Sequence, residues 1–157
     1  MPPDRMQITL PNEILLEEVA SLLDEGREVE LMARGTSMLP FIVGGRDSVI
    51  LKKEADVPPR PGDIVLARRS PGNYVLHRVV GVDGEKVTLR GDGNVFGTEI
   101  VSREDILGKV ESVVGPSGRK RNPGNAYLWR KLAPFVRRCA LALYRRTFYR
   151  LLKKNED

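Results

Sequence analysis

A mainly β, α+β fold is predicted for this chain: a coiled antiparallel β-sheet or partly open barrel, led by one helix and followed by a basic amphipathic helical segment. Three observations predict it. Between about Arg27 and Gly115, six short stretches are rich in β-branched residues: 28–33 (EVELMA), 47–53 (DSVILKK), 63–69 (DIVLARR), 74–82 (YVLHRVVGV), 86–91 (KVTLRG) and 106–114 (ILGKVESVV). The separators GGRD, PPRPGD, SPGN, VDGE and GDGN supply Gly, Pro, Asn and Asp where the chain must reverse. No helical pattern interrupts the series, so no crossover helices are available and the strands pair antiparallel.

Ahead of the strands, Ile14, Leu15, Val19, Leu22 and Leu23 recur at helical spacings. Pro11 opens this helix, Asn12 caps it, the glutamates of its early turns suit the positive end of the dipole, and Gly26 ends it. After the strands, residues 116–125 (PSGRKRNPGN) read as a linker. Beyond them Leu128, Leu132, Phe135, Val136, Cys139, Ala140 and Leu143 share one side of a helix, and Arg130, Lys131, Arg137, Arg138 and Arg145 the other. Pro134 kinks that helix or divides it in two. The organisation is therefore a domain over 1–115, a linker over 116–125 and a helical tail over 126–157.

Composition narrows the class of function. At 157 residues, 41% hydrophobic and 30% charged, the chain has the make-up of one globular domain with a core of useful size. A single cysteine, Cys139, excludes an internal disulfide and a cysteine-based zinc cluster. The first residues hold charges and prolines with no apolar core of a secretory signal. The longest apolar run, 139–144, is far short of the roughly 20 residues needed to span a bilayer. The expectation is a cytoplasmic protein without signal peptide or transmembrane helix, peripheral on the inner face of the membrane.

The net charge of +5 is unevenly placed. Residues 116–157 hold 12 Lys and Arg against 2 acids, whereas residues 1–115 hold 14 against 19. The basicity belongs to the tail, which points to an anionic partner. Three arrangements are open: the apolar stripe docked on the domain with its arginines in water, the tail flat on an anionic membrane, or nucleic-acid binding. Trp129, Phe135, Tyr144, Phe148 and Tyr149 beside many arginines suit the membrane interface, with Trp129, Arg130, Arg137 and Arg138 as contact candidates. Nucleic acid is the least expected partner, because no recognised binding motif accompanies the charge.

The chemistry centres on Ser37, in the turn ARGTSMLP, and His77, the one histidine, in VLHRVVGV. A serine hydroxyl needs a base to take its proton as it attacks, and a neutral imidazole serves near pH 7. Gly35 permits an unusual backbone angle or close approach of substrate, and the Ser37 amide is a natural oxyanion donor. The residues alone leave a second option open, an ordinary imidazole with no chemistry.

Read in order, RGTSMLP, RDSVIL, PGDIVLARR, YVLHRVVGV and LRGDGN, within residues 34–94, resemble the serine peptidase superfamily that joins type I signal peptidases with self-cleaving SOS repressors. His77-Arg78-Val79 resembles the histidine-base subtype, as in endoplasmic-reticulum and archaeal-like signal peptidases. The resemblance implies a serine endopeptidase in which Ser37 attacks a peptide bond and His77 is the base. GDGN is similar to the family's GDN element, which makes Asp92 the expected third polar member, orienting His77 or holding its strand. Glu99 is the next carboxylate, slightly out of register. Met38 and Leu39 flank the serine as substrate-pocket residues or as core.

Three departures accompany the resemblance: no membrane-spanning anchor, no helix-turn-helix, and no Ala-Gly bond for repressor-type self-cleavage. A polypeptide substrate is expected, and neither metal nor organic cofactor is implied. The competing function is a non-catalytic peptide-binding or regulatory module on the same fold.

Overall fold

A computed structural model describes residues 12–54 and 56–151. It contains α1 (Asn12–Asp24), β1 (Val29–Met32), β2 (Ser48–Lys52), β3 (Ile64–Ser70), β4 (Asn73–Asp83), β5 (Lys86–Arg90), β6 (Glu99–Ser102), β7 (Ile106–Val114), β8 (Lys120–Arg121), α2 (Tyr127–Lys131) and α3 (Pro134–Tyr144), with a wider π-type turn over Arg145–Tyr149. The six strands expected from sequence all form. β6 and β8 are additional, each too short to show alternation. β8 lies inside the segment read as a linker, pairing Lys120 and Arg121 with the end of β7. The expected Pro11 boundary and the tail beyond Leu151 fall outside the described residues, as does the side chain of Tyr149.

The strands form one antiparallel sheet in the order β1-β2-β7-β3-β4-β5-β6, with β8 beside β7. Its outer strands β1 and β6 do not pair with each other, so the sheet is not closed into a barrel. Register shifts at Ile50/Leu51, Leu66/Ala67 and Val79/Gly81 bend the strands and strengthen the twist.

Strand alternation divides the core between the two faces of the sheet. On β3, Ile64 and Leu66 join Val19 and Leu23 of α1, whereas Val65 and Ala67 join Val79, Val87 and Leu89. That is why the first four residues of this strand, central between β4 and β7, read IVLA without a polar residue. Gly108 lets α1 sit close, since a Cβ there would lie 2.9 Å from Leu23. A larger residue there would require the Leu23 side chain to move.

The tail is two helices, divided at Pro134, which occupies the first turn of α3. They dock through Trp129, Leu141 and Tyr144 on Leu39, Val43 and Val95. The expected apolar stripe is not what docks. Leu128, Leu132, Phe135, Val136 and Leu143 face outward. Among the described residues, no helix is long and apolar enough to cross a membrane.

One buried charge ties these parts together. Arg78 of β4 is fully buried. Its Nε donates to both oxygens of Asp92 at 2.8 and 3.0 Å, and Nη2 to Asp92 Oδ2 at 2.7 Å. Nη1 donates to the carbonyls of Gly62 at 2.7 Å and Gly124 at 2.9 Å. The bidentate geometry satisfies a charge that would be costly to bury alone. Asp92→Ala is expected to lower unfolding free energy by about 3–5 kcal/mol, because it strands the guanidinium. Urea unfolding of the Arg78→Leu/Asp92→Leu double variant should show a smaller loss than the sum of the single variants.

Candidate active site

The loop carrying Ser37 is shaped by a second buried carboxylate. Asp47, wholly buried, accepts from the Val43 amide at 2.9 Å, from Arg46 Nε at 2.9 Å and from Arg121 Nη2 at 2.9 Å. The loop's base is closed by the amides of Ala33 and Gly45, which donate to the carbonyls of Asp47 and Ala33. Gly35 has φ +74°, and the Gly44 backbone passes so near that a Cβ there would overlap the Gly35 carbonyl.

The GDGN turn locks onto the serine. The Gly93 amide donates to the Ser37 carbonyl at 2.8 Å. A Cβ on Gly91 would lie 2.4 Å from the Ser37 carbonyl, and one on Gly93 would lie 2.6 Å from that of Thr36. Both glycines are therefore required by close backbone approach. Ser37 itself is half-buried, and its amide donates to no backbone carbonyl among the described residues.

His77 is buried on β4, opposite Val65 of β3. Its Nδ1 lies 2.6 Å from Glu99 Oε2, and Glu99 Oε1 lies 3.7 Å from Arg69 Nη1. An ionised carboxylate can only accept, so in the neutral form of the ring this contact places the proton on Nδ1 and leaves the Nε2 lone pair free. No other hydrogen bond to the His77 ring occurs among the described residues. Ser37 and His77 face one cavity of about 150 Å³, lined also by Ala33, Gly35, Tyr74 and Leu76. They are not hydrogen-bonded to each other across it. A larger cavity of about 290 Å³ lies elsewhere, around Lys53, Val57, Asp63, Arg103 and Lys109, and its walls hold no serine, threonine, cysteine or histidine.

The structure redistributes several expected roles. The carboxylate beside His77 is Glu99, not Asp92. Of the two roles expected for Asp92, orienting His77 or holding its strand, the geometry fits the second: Asp92 binds Arg78, on the opposite face of β4. The pairing Val79↔Leu89↔Glu99 explains this, because directly paired residues share a face and His77 lies two positions from Val79. The only sequence signal for Glu99 was its place a few residues past GDGN. Gly35 and Met38 line the cavity, but Met38 is also core. Leu39 does not reach the cavity: it is fully buried against Val43 and Leu141.

Among the proposed tail contacts, Trp129 and Arg137 face the domain. Trp129 Nε1 donates to the Asp92 carbonyl at 2.9 Å, and its ring meets that of Phe41 edge-on. Arg137 is buried, with Nη2 3.4 Å from the Val95 carbonyl. Arg130 is half-buried and donates to the Asn125 carbonyl, while Arg138 is exposed. Burial, and next the nearby Arg137, hold the Arg90 guanidinium below its ordinary pKa, with Asp92 acting the other way.

No protein-family model matches this chain, and no curated protein sequence matches it significantly. Because the chain has one histidine, its side-chain ¹⁵N–¹H correlations are unambiguous. For the neutral ring they are expected to show the proton on Nδ1, and Glu99→Gln should shift the ring toward the other tautomer.

Proposed function

We propose that this chain is a serine endopeptidase of the signal-peptidase-like, histidine-base type, cleaving polypeptides through Ser37, His77 and Glu99. The observation that carries the reading is the 2.6 Å contact of His77 Nδ1 with Glu99, on an imidazole that shares a cavity with Ser37. The ordered motifs from RGTSMLP to LRGDGN support it.

Ser37 Oγ attacks the scissile carbonyl as its proton passes to His77 Nε2. Glu99 stabilises the imidazolium that forms and keeps the ring oriented. The Ser37 amide donates to the developing oxyanion. Collapse of the tetrahedral intermediate breaks the C–N bond, and His77 returns the proton to the leaving amine. Water then hydrolyses the acyl-enzyme by the same route, with His77 as base. In the substrate-free state the Ser37–His77 hydrogen bond is open, and it closes as substrate enters, a common pattern for catalytic pairs.

An extended substrate has an edge to join. β5 pairs with β4 only from Arg78 onward, so the side of residues 74–77 facing away from β3 carries no strand. These residues line the cavity, and a peptide laid along them gains main-chain hydrogen bonds beside the nucleophile. Asp92 acts through Arg78 as a positioning residue.

Digestion of a mixture of unstructured peptides, read by mass spectrometry, tests the assignment. Ser37→Ala and His77→Ala are expected to slow cleavage by about 10⁴-fold or more, and Glu99→Gln by roughly 10³–10⁴-fold. Wild-type rates in all three variants would overturn it. Peptide binding without cleavage in the unaltered protein would assign the cleft to a non-catalytic peptide-binding module.

A further inference from the structure

The docked tail leaves a continuous apolar strip in the open. On α3, Arg137, Ala140, Leu141 and Tyr144 turn toward the domain. About a third of a turn away around the same helix, Phe135, Val136, Cys139 and Leu143 are exposed. Leu128 and Leu132 extend this strip at one end, and Phe148 and Leu151 continue the exposed apolar surface at the other. Leu128 and Phe135 are 78% and 75% exposed, values that large side chains seldom reach in a contiguous group unless the surface has a partner.

The charge around the strip selects the partner. Residues 126–151 hold seven Lys and Arg and no Asp or Glu. Lys131, Arg138, Arg145, Arg146 and Arg150 are exposed. A second copy of this chain would bring arginines against arginines, so self-association through this face is repelled. Nucleic acid would use the guanidinium groups and leave the phenylalanine and leucine side chains in water. An anionic bilayer takes both, phosphate headgroups on the cations and acyl chains beneath the apolar strip.

We propose that α2, α3 and the turn beyond them form a rigid platform docking this protein on the surface of an anionic membrane, through Leu128, Leu132, Phe135, Val136 and Leu143 with flanking arginines. The platform is joined to the domain where it matters for orientation. Leu141 packs on Leu39 and Val43 of the serine-bearing loop, and Trp129 bonds the turn that grips Ser37. Membrane attachment therefore fixes the direction in which the cleft faces. This surface does not depend on the chemistry assigned to Ser37, and its test does not use activity.

Cys139, the one cysteine, lies on the proposed contact face and is exposed, so a polarity-sensitive fluorophore attached there reports contact directly. Vesicles of phosphatidylcholine with phosphatidylglycerol are expected to blue-shift the probe and co-sediment the full chain. Vesicles of phosphatidylcholine alone should bind at least about tenfold more weakly, and raised salt should weaken anionic binding. Phe135→Ser/Leu143→Ser and Arg138→Glu/Arg145→Glu/Arg146→Glu should each weaken binding at least about tenfold while circular dichroism melts stay unchanged. Equal binding to neutral and anionic vesicles, or wild-type binding by both variants, would overturn the proposal. So would a blue shift produced by duplex DNA or by self-association in the absence of lipid.

Discussion

The Arg78 guanidinium is the constraint on which the molecule is built. A cation removed from water in a small β-protein is tolerated only if nearly every N–H is met by an acceptor. Here the acceptors come from four separate places: the strand's own neighbour turn at Gly62, the GDGN turn at Asp92, the linker at Gly124, and the ring of Phe41, 5.5 Å from the guanidinium carbon. Each must sit correctly for the others to be worth their burial. The geometry of the cavity face follows, since His77 is the adjacent residue and a strand sends neighbours to opposite faces. Fixing Arg78 on one side fixes the imidazole on the other. The Asp92 turn in turn carries the Gly93 amide that grips Ser37.

Much of the fold was legible because β-structure writes itself in alternation and turn residues. IVLA in β3 and the glycines flanking Asp92 have local physical causes that sequence displays. Long-range pairing is different. Glu99 becomes the partner of His77 through the register of β6 on β5, and four residues of β6 carry no pattern that reveals it. Asp92 was the natural expectation by motif. A buried carboxylate pairs with the cation on its own face of the sheet, however, and that cation is Arg78. Ser37 and His77, which share the cavity, could be singled out in the sequence; Glu99 stood there only as the next carboxylate after Asp92.

The tail shows the same limit for helices. Periodicity separates an apolar side from a basic side but does not say which one docks. The domain takes a mixed face bearing Trp129, Arg137, Leu141 and Tyr144, because Leu39, Val43 and the free carbonyls of Asp92 and Val95 offer both apolar contact and acceptors. The purely apolar side is left to the exterior. The excess positive charge of the tail, concentrated on a body with more acids than bases, then falls on the outer surface beside it.

Covalent capture by a fluorophosphonate probe, located by mass spectrometry of the modified chain, interrogates the nucleophile itself without a known substrate. A hydroxyl activated by a neighbouring imidazole gives stoichiometric labelling at Ser37, and His77→Ala removes it while the protein stays folded. A chain that takes up no probe, or takes it up at another residue, or labels Ser37 equally well without the imidazole, contradicts an activated serine in this cleft.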